Sequence, residues 1–100
     1  MRSRPQDSGS PRIITGRINS DGTKAEGLNV TATRESTGVY RLRFNGMRPK
    51  SVVATPIIPQ GYVANTDTYN VGDARVVVMN ASNSVATDVA FSFTAEVMTP

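Results

Sequence analysis

The chain has 100 residues, 38% of them hydrophobic, with three Phe, three Tyr, no Trp, no Cys, no His and a formal net charge of +3. That length holds one domain with one core. The missing Cys excludes disulfide staples and thiolate metal sites, and the missing His removes the usual general base and the commonest metal ligand.

Met1–Pro11 is polar, contains Ser, Gly and Pro, and has no apolar period, so it reads as a flexible arm. Arg2, Arg4 and Arg12 against Asp7 leave +2 on the first twelve residues, whereas eight Lys/Arg against seven Asp/Glu leave only +1 on the remainder. The arm, taken as residues 1–12, is either a peptide that docks the folded domain (13–100) on a larger body through these arginines or a frayed terminus. It lacks the apolar stretch of a signal peptide. No run approaches a membrane span, so a soluble chain without membrane insertion is expected.

Strands follow the arm. Arg12–Ile18 sets Ile14, Gly16 and Ile18 against Ile13, Thr15 and Arg17. Asn19–Gly22 has turn chemistry, and Thr23–Gly27 reads as loop. Leu28–Glu35 alternates and is rich in Thr and Val, as strands are. Ser36-Thr37-Gly38 turns into Val39–Phe44, with Tyr40, Leu42 and Phe44 on one face and Arg41 and Arg43 on the other. Asn45–Lys50 turns the corner into Ser51–Ile58, where Pro56 marks an edge or a strand exit. Pro59–Thr68 reads as a polar loop, Tyr69–Val71 as a short strand, Ala74–Asn80 as a strand and Ala81–Thr87 as a small-residue loop. Asp88–Met98 closes the fold with Val89, Phe91, Phe93, Ala95 and Val97 on one side. Short strands with regular turn signals and no helical period predict an all-β fold, a small antiparallel, jelly-roll-like β-sandwich.

Two strands carry apolar residues on both faces. Val76 and Val78 oppose Val77 and Met79, and Val52 and Ala54 oppose Val53 and Ile57. In a lone sandwich each strand hides one face and wets the other. The extra positions therefore lie under a loop or line a subunit interface. A domain of this size buries only about 60–65% of its unfolded surface, and oligomerisation is a common source of further burial. The interface reading is favoured, with Val53, Ile57, Val77 and Met79 as its candidates.

Other patterns carry less. Tyr40-Arg41-Leu42-Arg43-Phe44 mixes rings with cations, but a strand points them in opposite directions, whereas a single-strand nucleic-acid binder needs both on one surface. No nucleic-acid partner is expected. Asn65–Asp73 imitates a calcium loop, yet positions six and twelve are Asn70 and Val76 where Gly and Glu are required. Asn29-Val30-Thr31 and Asn80-Ala81-Ser82 are sequons too short to carry weight. Asp21 and Glu26 read as solvated turn acids. Neither a catalytic arrangement nor a cofactor site is recognisable, and an enzyme is not expected.

The order of phrases is more specific than any one of them. Ile14–Thr23 (ITGRINSDGT), Val30–Arg34, Thr37–Phe44 (TGVYRLRF), Ser51–Pro56 and Ala86–Ala95 (ATDVAFSFTA) succeed one another. This succession, over roughly Ile13–Val97, resembles the small β-sandwich domains at the tips of bacteriophage tail fibres and in other small virion proteins. The resemblance implies a homotrimer without catalytic residues, located in the virion, with outward loops that contact a receptor. It also implies a larger virion protein as partner. The implied role is a minor tail or tail-fibre-type protein, with a capsid decoration or head-fibre protein as an alternative; a short basic arm in place of a shaft departs from a fibre tip and favours a small separate virion component. A carbohydrate-binding module is the remaining alternative, motivated by Tyr62, Asn65, Asp67 and Tyr69, whose rings and polar groups suit a cell-surface glycan.

Overall fold

The alternating stretches form eight strands in the computed structural model, which describes residues 11–58, 61–68 and 73–99. They are β1 (Pro11–Ile18), β2 (Lys24–Gly27), β3 (Thr31–Ser36), β4 (Val39–Arg43), β5 (Arg48–Pro56), β6 (Tyr62–Thr68), β7 (Asp73–Asn80) and β8 (Phe91–Met98). Sheet I has the order β2-β1-β8-β5 and sheet II the order β3-β4-β7-β6. Every ladder is antiparallel. Hairpins β1/β2, β3/β4 and β6/β7 stay within a sheet, and the other connections cross between sheets. The result is the small antiparallel β-sandwich that the alternation predicts.

One face of each long strand fills the space between the sheets. Ile14 and Ile18 of β1 and Phe91, Phe93, Ala95 and Val97 of β8 meet Tyr40 and Leu42 of β4 and Val76 and Val78 of β7, all buried. Two edge-to-face ring pairs span the sheets: Tyr40 on Phe91 at 5.1 Å between centroids and Phe44 on Phe93 at 6.2 Å. Such pairs contribute about 0.5–1.5 kcal/mol beyond the area they bury. Gly16 interrupts the β1 core row because a Cβ there would stand 2.8 Å from the Phe93 ring and 2.7 Å from the Glu26 carbonyl.

The structure departs from the sequence reading at strand ends and edges. β1 begins at Pro11, and Arg12 pairs with Val97, so the last residues assigned to the arm belong to the sandwich. Arg2 and Arg4 lie outside the described residues. The segment 24–27, expected as loop, is β2: an edge strand whose Lys24, Ala25 and Glu26 are all exposed has no apolar period to reveal it. Its turn is nevertheless explicit, since Asp21 Oδ1 accepts from the Thr23 amide at 3.0 Å and the Thr23 hydroxyl at 2.6 Å, with Gly22 at φ 94°.

β3 starts at Thr31 rather than Leu28. Leu28 is exposed, Asn29 adopts φ 64° and Val30 is buried as the chain crosses between the sheets. β5 starts at Arg48, within the stretch expected to turn the corner, with a register shift between Pro49 and Ser51, and it ends at Pro56, two residues short of the expected Ile58. The expected loop at 59–68 contains β6, again an edge strand. Its inward residues Tyr62, Ala64 and Thr66 are too small or polar to signal a core face. Thr66 Oγ1 donates to the Val52 carbonyl at 2.6 Å and so ties the sheet II edge to the sheet I edge. The short strand expected at 69–71 lies outside the described residues.

Candidate functional site: the two outer sheet faces

The interface candidates do not form one patch. β5 belongs to sheet I and β7 to sheet II, so Val53 and Ile57 face away from one side of the sandwich and Val77 and Met79 from the other. A sequence shows that a strand is apolar on both faces, but the sheet to which it is assigned fixes the direction of the second face. The glycan candidates also separate. Tyr62 packs against the core, whereas Asn65 and Asp67 stand on the outer face of sheet II, with Asp67 Oδ2 3.7 Å from Arg75 Nη2. Tyr69 lies outside the described residues. Tyr62 therefore does not share a surface with the amide and carboxylate expected to act beside it.

The outer face of sheet II is divided along the strands. In one half, Val39 of β4 lies opposite Val77, which lies opposite Asn65 of β6, and Val63 of β6 lies opposite Met79, itself bridged to Ala86. Val63 is 44% exposed, and Val39, Val77, Met79 and Ala86 are half-buried. In the other half Arg41 stands directly opposite Arg75, a pairing of like charges that is unfavourable by itself. Acids relieve it: Arg41 Nε meets Glu35 Oε2 at 2.8 Å, Arg41 Nη1 meets Asp73 Oδ2 at 3.3 Å, and Asp67 approaches Arg75. Arg43 Nε adds a 3.7 Å contact to Asp73. Exposed pairs of this kind contribute at most about 1 kcal/mol each. Their main effect is to make a charged half-face nearly neutral next to an apolar one.

Comparison with protein-family models, with curated proteins and with solved structures finds no match.

The outer face of sheet I has a different chemistry. Its rows across β1, β8 and β5 run Ile13–Glu96–Ser51, Thr15–Thr94–Val53 and Arg17–Ser92–Thr55. Hydroxyls form most of the floor, and the exposed Val53 and Ile13 sit in different rows. An open trough of about 800 Å³ runs over Thr15, Ser92 and Thr94, walled by Leu28 and Ile57. Arg17 in this trough is held by Glu26 at 2.9 Å. Water hydrates these hydroxyls readily, whereas the rows of sheet II carry Asn65 as their one polar side chain beside Val39, Val77, Val63, Met79 and Ala86.

A polar node holds the margin of the apolar half in place. Asp88 accepts from Arg34 Nε at 3.0 and 3.1 Å and from the Gly38 amide at 2.7 Å, and Arg34 Nη2 lies 3.0 Å from its other oxygen. The Tyr40 hydroxyl reaches the Ser20 carbonyl at 2.8 Å and Asp88 Oδ1 at 3.3 Å, and its single proton serves the nearer acceptor. Bonds from Arg34 and the Gly38 amide hold the Asp88 carboxyl below the usual carboxylate range. Desolvation, with the Asp88 charge adding to it, pushes the Tyr40 hydroxyl up to about 12. Next to this node, Thr87 N donates to the Val78 carbonyl and Asn80 N to the Val85 carbonyl, both at 2.9 Å, so segment 85–87 continues sheet II beyond β4. Ala86 reaches the apolar half by this route.

The sequence reading missed Val39, Val63, Ala86 and Asp88. For Val39 and Val63 a signal was available, since both alternate with inward residues on strands flanking β7. For Ala86 and Asp88 the only signal is position, just before the closing strand.

Proposed function

We propose that the chain is a non-enzymatic structural protein of a bacteriophage virion, of minor-tail or tail-fibre type, that assembles with copies of itself as a trimer. It is held on a larger virion protein through its basic N-terminal segment, Arg2 and Arg4 included, and presents its turns to the host surface. The observation that carries the assembly reading is the open apolar half of sheet II: Val39, Val63, Val77, Met79 and Ala86 share one outer face. A monomeric sandwich has no need of such a face. The virion reading rests on the ordered phrases from Ile14 to Ala95 and on their resemblance to fibre-tip domains.

Labelling of intact particles with an antibody against the chain, imaged by electron microscopy, tests this reading. Label at the tail is the expected result. Label over the shell favours a decoration or head-fibre protein, and particles without label overturn the virion role. Glycan capture becomes a secondary property of that assembly, because Tyr62 is turned to the core and away from Asn65 and Asp67. A glycan array probed with the assembled chain separates the two: binding that survives Asn65→Ala and Asp67→Ala excludes this surface as the sugar site.

A further inference from the structure

We infer that Asn45, in the turn between β4 and β5, is a site of spontaneous chemical modification. Its side-chain amide is lost to water through a cyclic imide closed by the Gly46 nitrogen.

The chemistry needs a side-chain amide, a following backbone nitrogen that can reach it, and room for the main chain to swing. Of the seven asparagines in the chain only Asn45 precedes a glycine, the follower that hinders the approach least. The turn has the backbone of a type I′ reversal, with Asn45 at φ 51° and Gly46 at φ 82°. Its closing hydrogen bond runs from the Met47 amide to the Phe44 carbonyl at 2.9 Å and so does not engage the Gly46 amide. A Cβ placed on Gly46 would meet nothing within 4 Å, so the segment has space to open. Asn45 is exposed, and its Nδ2 donates to Asn29 Oδ1 across a long 3.4 Å, a weak restraint.

In the reaction the Gly46 nitrogen gives its proton to solvent base and attacks Cγ of Asn45. The bond from Cγ to the side-chain nitrogen breaks, and ammonia leaves with a proton returned from solvent. Water then opens the imide at either carbonyl. The products are aspartate at 45 or an isoaspartate whose main chain runs through the side-chain carbons. One water is consumed, one ammonia is released, and nothing is oxidised or reduced.

Related positions are restrained where Asn45 is not. Asp21-Gly22 can form the same imide, but the Gly22 amide donates to the Asn19 carbonyl at 2.9 Å. Asp21 Oδ1 is itself held by the Thr23 amide and hydroxyl, and a Cβ on Gly22 would stand 2.7 Å from Arg34 Cβ. After Asn80 and Asn83 the following amides are engaged as well, Ala81 N with the Gly61 carbonyl and Ser84 N with the Asn80 carbonyl, both at 2.8 Å.

The consequence reaches the core. Phe44 and Met47, on either side of the turn, are buried, and Phe44 carries the ring contact to Phe93. The turn leads from sheet II to sheet I. Isoaspartate adds a backbone carbon between these two anchors and so loosens the crossover, whereas aspartate keeps the chain length. Both products lower the net charge of +3 by one.

Ageing of the folded full chain at mildly alkaline pH tests this, followed by isoelectric focusing and by peptide mapping in a mass spectrometer. The expected result is an acidic band that grows with time, with NH2 replaced by OH at Asn45 ahead of every other asparagine. Asn45→Gln, whose imide would need a larger ring, should lose that band, with circular dichroism to establish that the variant folds. Peptide mapping of the wild type decides the matter if it does not. Conversion that starts at Asn19, Asn80 or Asn83, or an acidic band that persists in folded Asn45→Gln, overturns the assignment. So does an Asn45 that stays intact in the folded chain while the same chain in urea converts there.

Discussion

Asp88 joins parts of the chain that lie far apart in sequence. Its carboxylate joins the β3/β4 hairpin, through Arg34 and the Gly38 amide, to the segment that leads into β8. Asp88→Ala leaves that amide without its acceptor, and charge-assisted bonds of this kind are about twice as strong as neutral ones. The side chain is partly exposed, so screening reduces the loss to about 1–2 kcal/mol, read as a lowered urea midpoint. Asp88→Asn keeps an acceptor oxygen and should lose less.

The pH dependence has two limbs. The folded pKa of Asp88 lies below its unfolded value, so its stabilisation is complete above the ordinary 3.8 and disappears as pH falls through the depressed value. Tyr40 works in the opposite direction: with a folded pKa raised from 10.0 to about 12, its contribution is complete below pH 10.0 and disappears as pH rises toward 12. Thermal melts across pH should show both limbs, with the acid limb weakened in Asp88→Asn and the alkaline limb weakened in Tyr40→Phe. Glycines supply a further contrast. Gly38 has φ 74° and a Cβ added there would stand 2.6 Å from Thr87 N, whereas Gly61 has φ 88° with open space around it. Gly38→Ala should cost more than 2 kcal/mol and Gly61→Ala about 1 kcal/mol, the cost of backbone strain alone, measured by denaturant titration.

At the scale of elements, strands with an apolar or Thr/Val-rich run were legible in the sequence, and the polar edge strands β2 and β6 were not. β4 and β8 appear in the chain as alternating runs and β7 as a continuous apolar run, and their inward residues Tyr40, Leu42, Val76, Val78, Phe91 and Phe93 fill the core. β2 and β6 lie at sheet edges and are held by backbone ladders that leave no hydrophobic period. Polar edge strands of this kind also resist unwanted pairing with other chains. The candidate site was legible only in half. The sequence exposes Val77 and Met79 as surplus apolar residues, but β5 and β7 look alike until the ladders assign them to different sheets, which removes Val53 and Ile57 from the same patch. A prediction belongs to this scale as well. Thr66 Oγ1 joins the β6 and β5 edges through the Val52 carbonyl, so Thr66→Val, close in volume but without the hydroxyl, should lower stability by about 1 kcal/mol. Amide exchange should quicken along β6, at the sheet edge, before it does in β7.

For the whole molecule, the two outer faces differ in chemistry. Sheet I presents hydroxyls and a shallow trough to solvent, while sheet II presents apolar rows beside a neutralised ionic field. A small core leaves a domain of this length with little stability to spare, and covering the apolar rows of sheet II with another copy adds burial that the monomer lacks. Assembly and stability are then linked, so the melting temperature should rise with protein concentration. The mass of the wild-type chain in solution, followed by sedimentation equilibrium over a wide concentration range, tests this most directly. The mass should climb with concentration toward three times the 10.7 kDa of one chain. A mass fixed at 10.7 kDa throughout would contradict it.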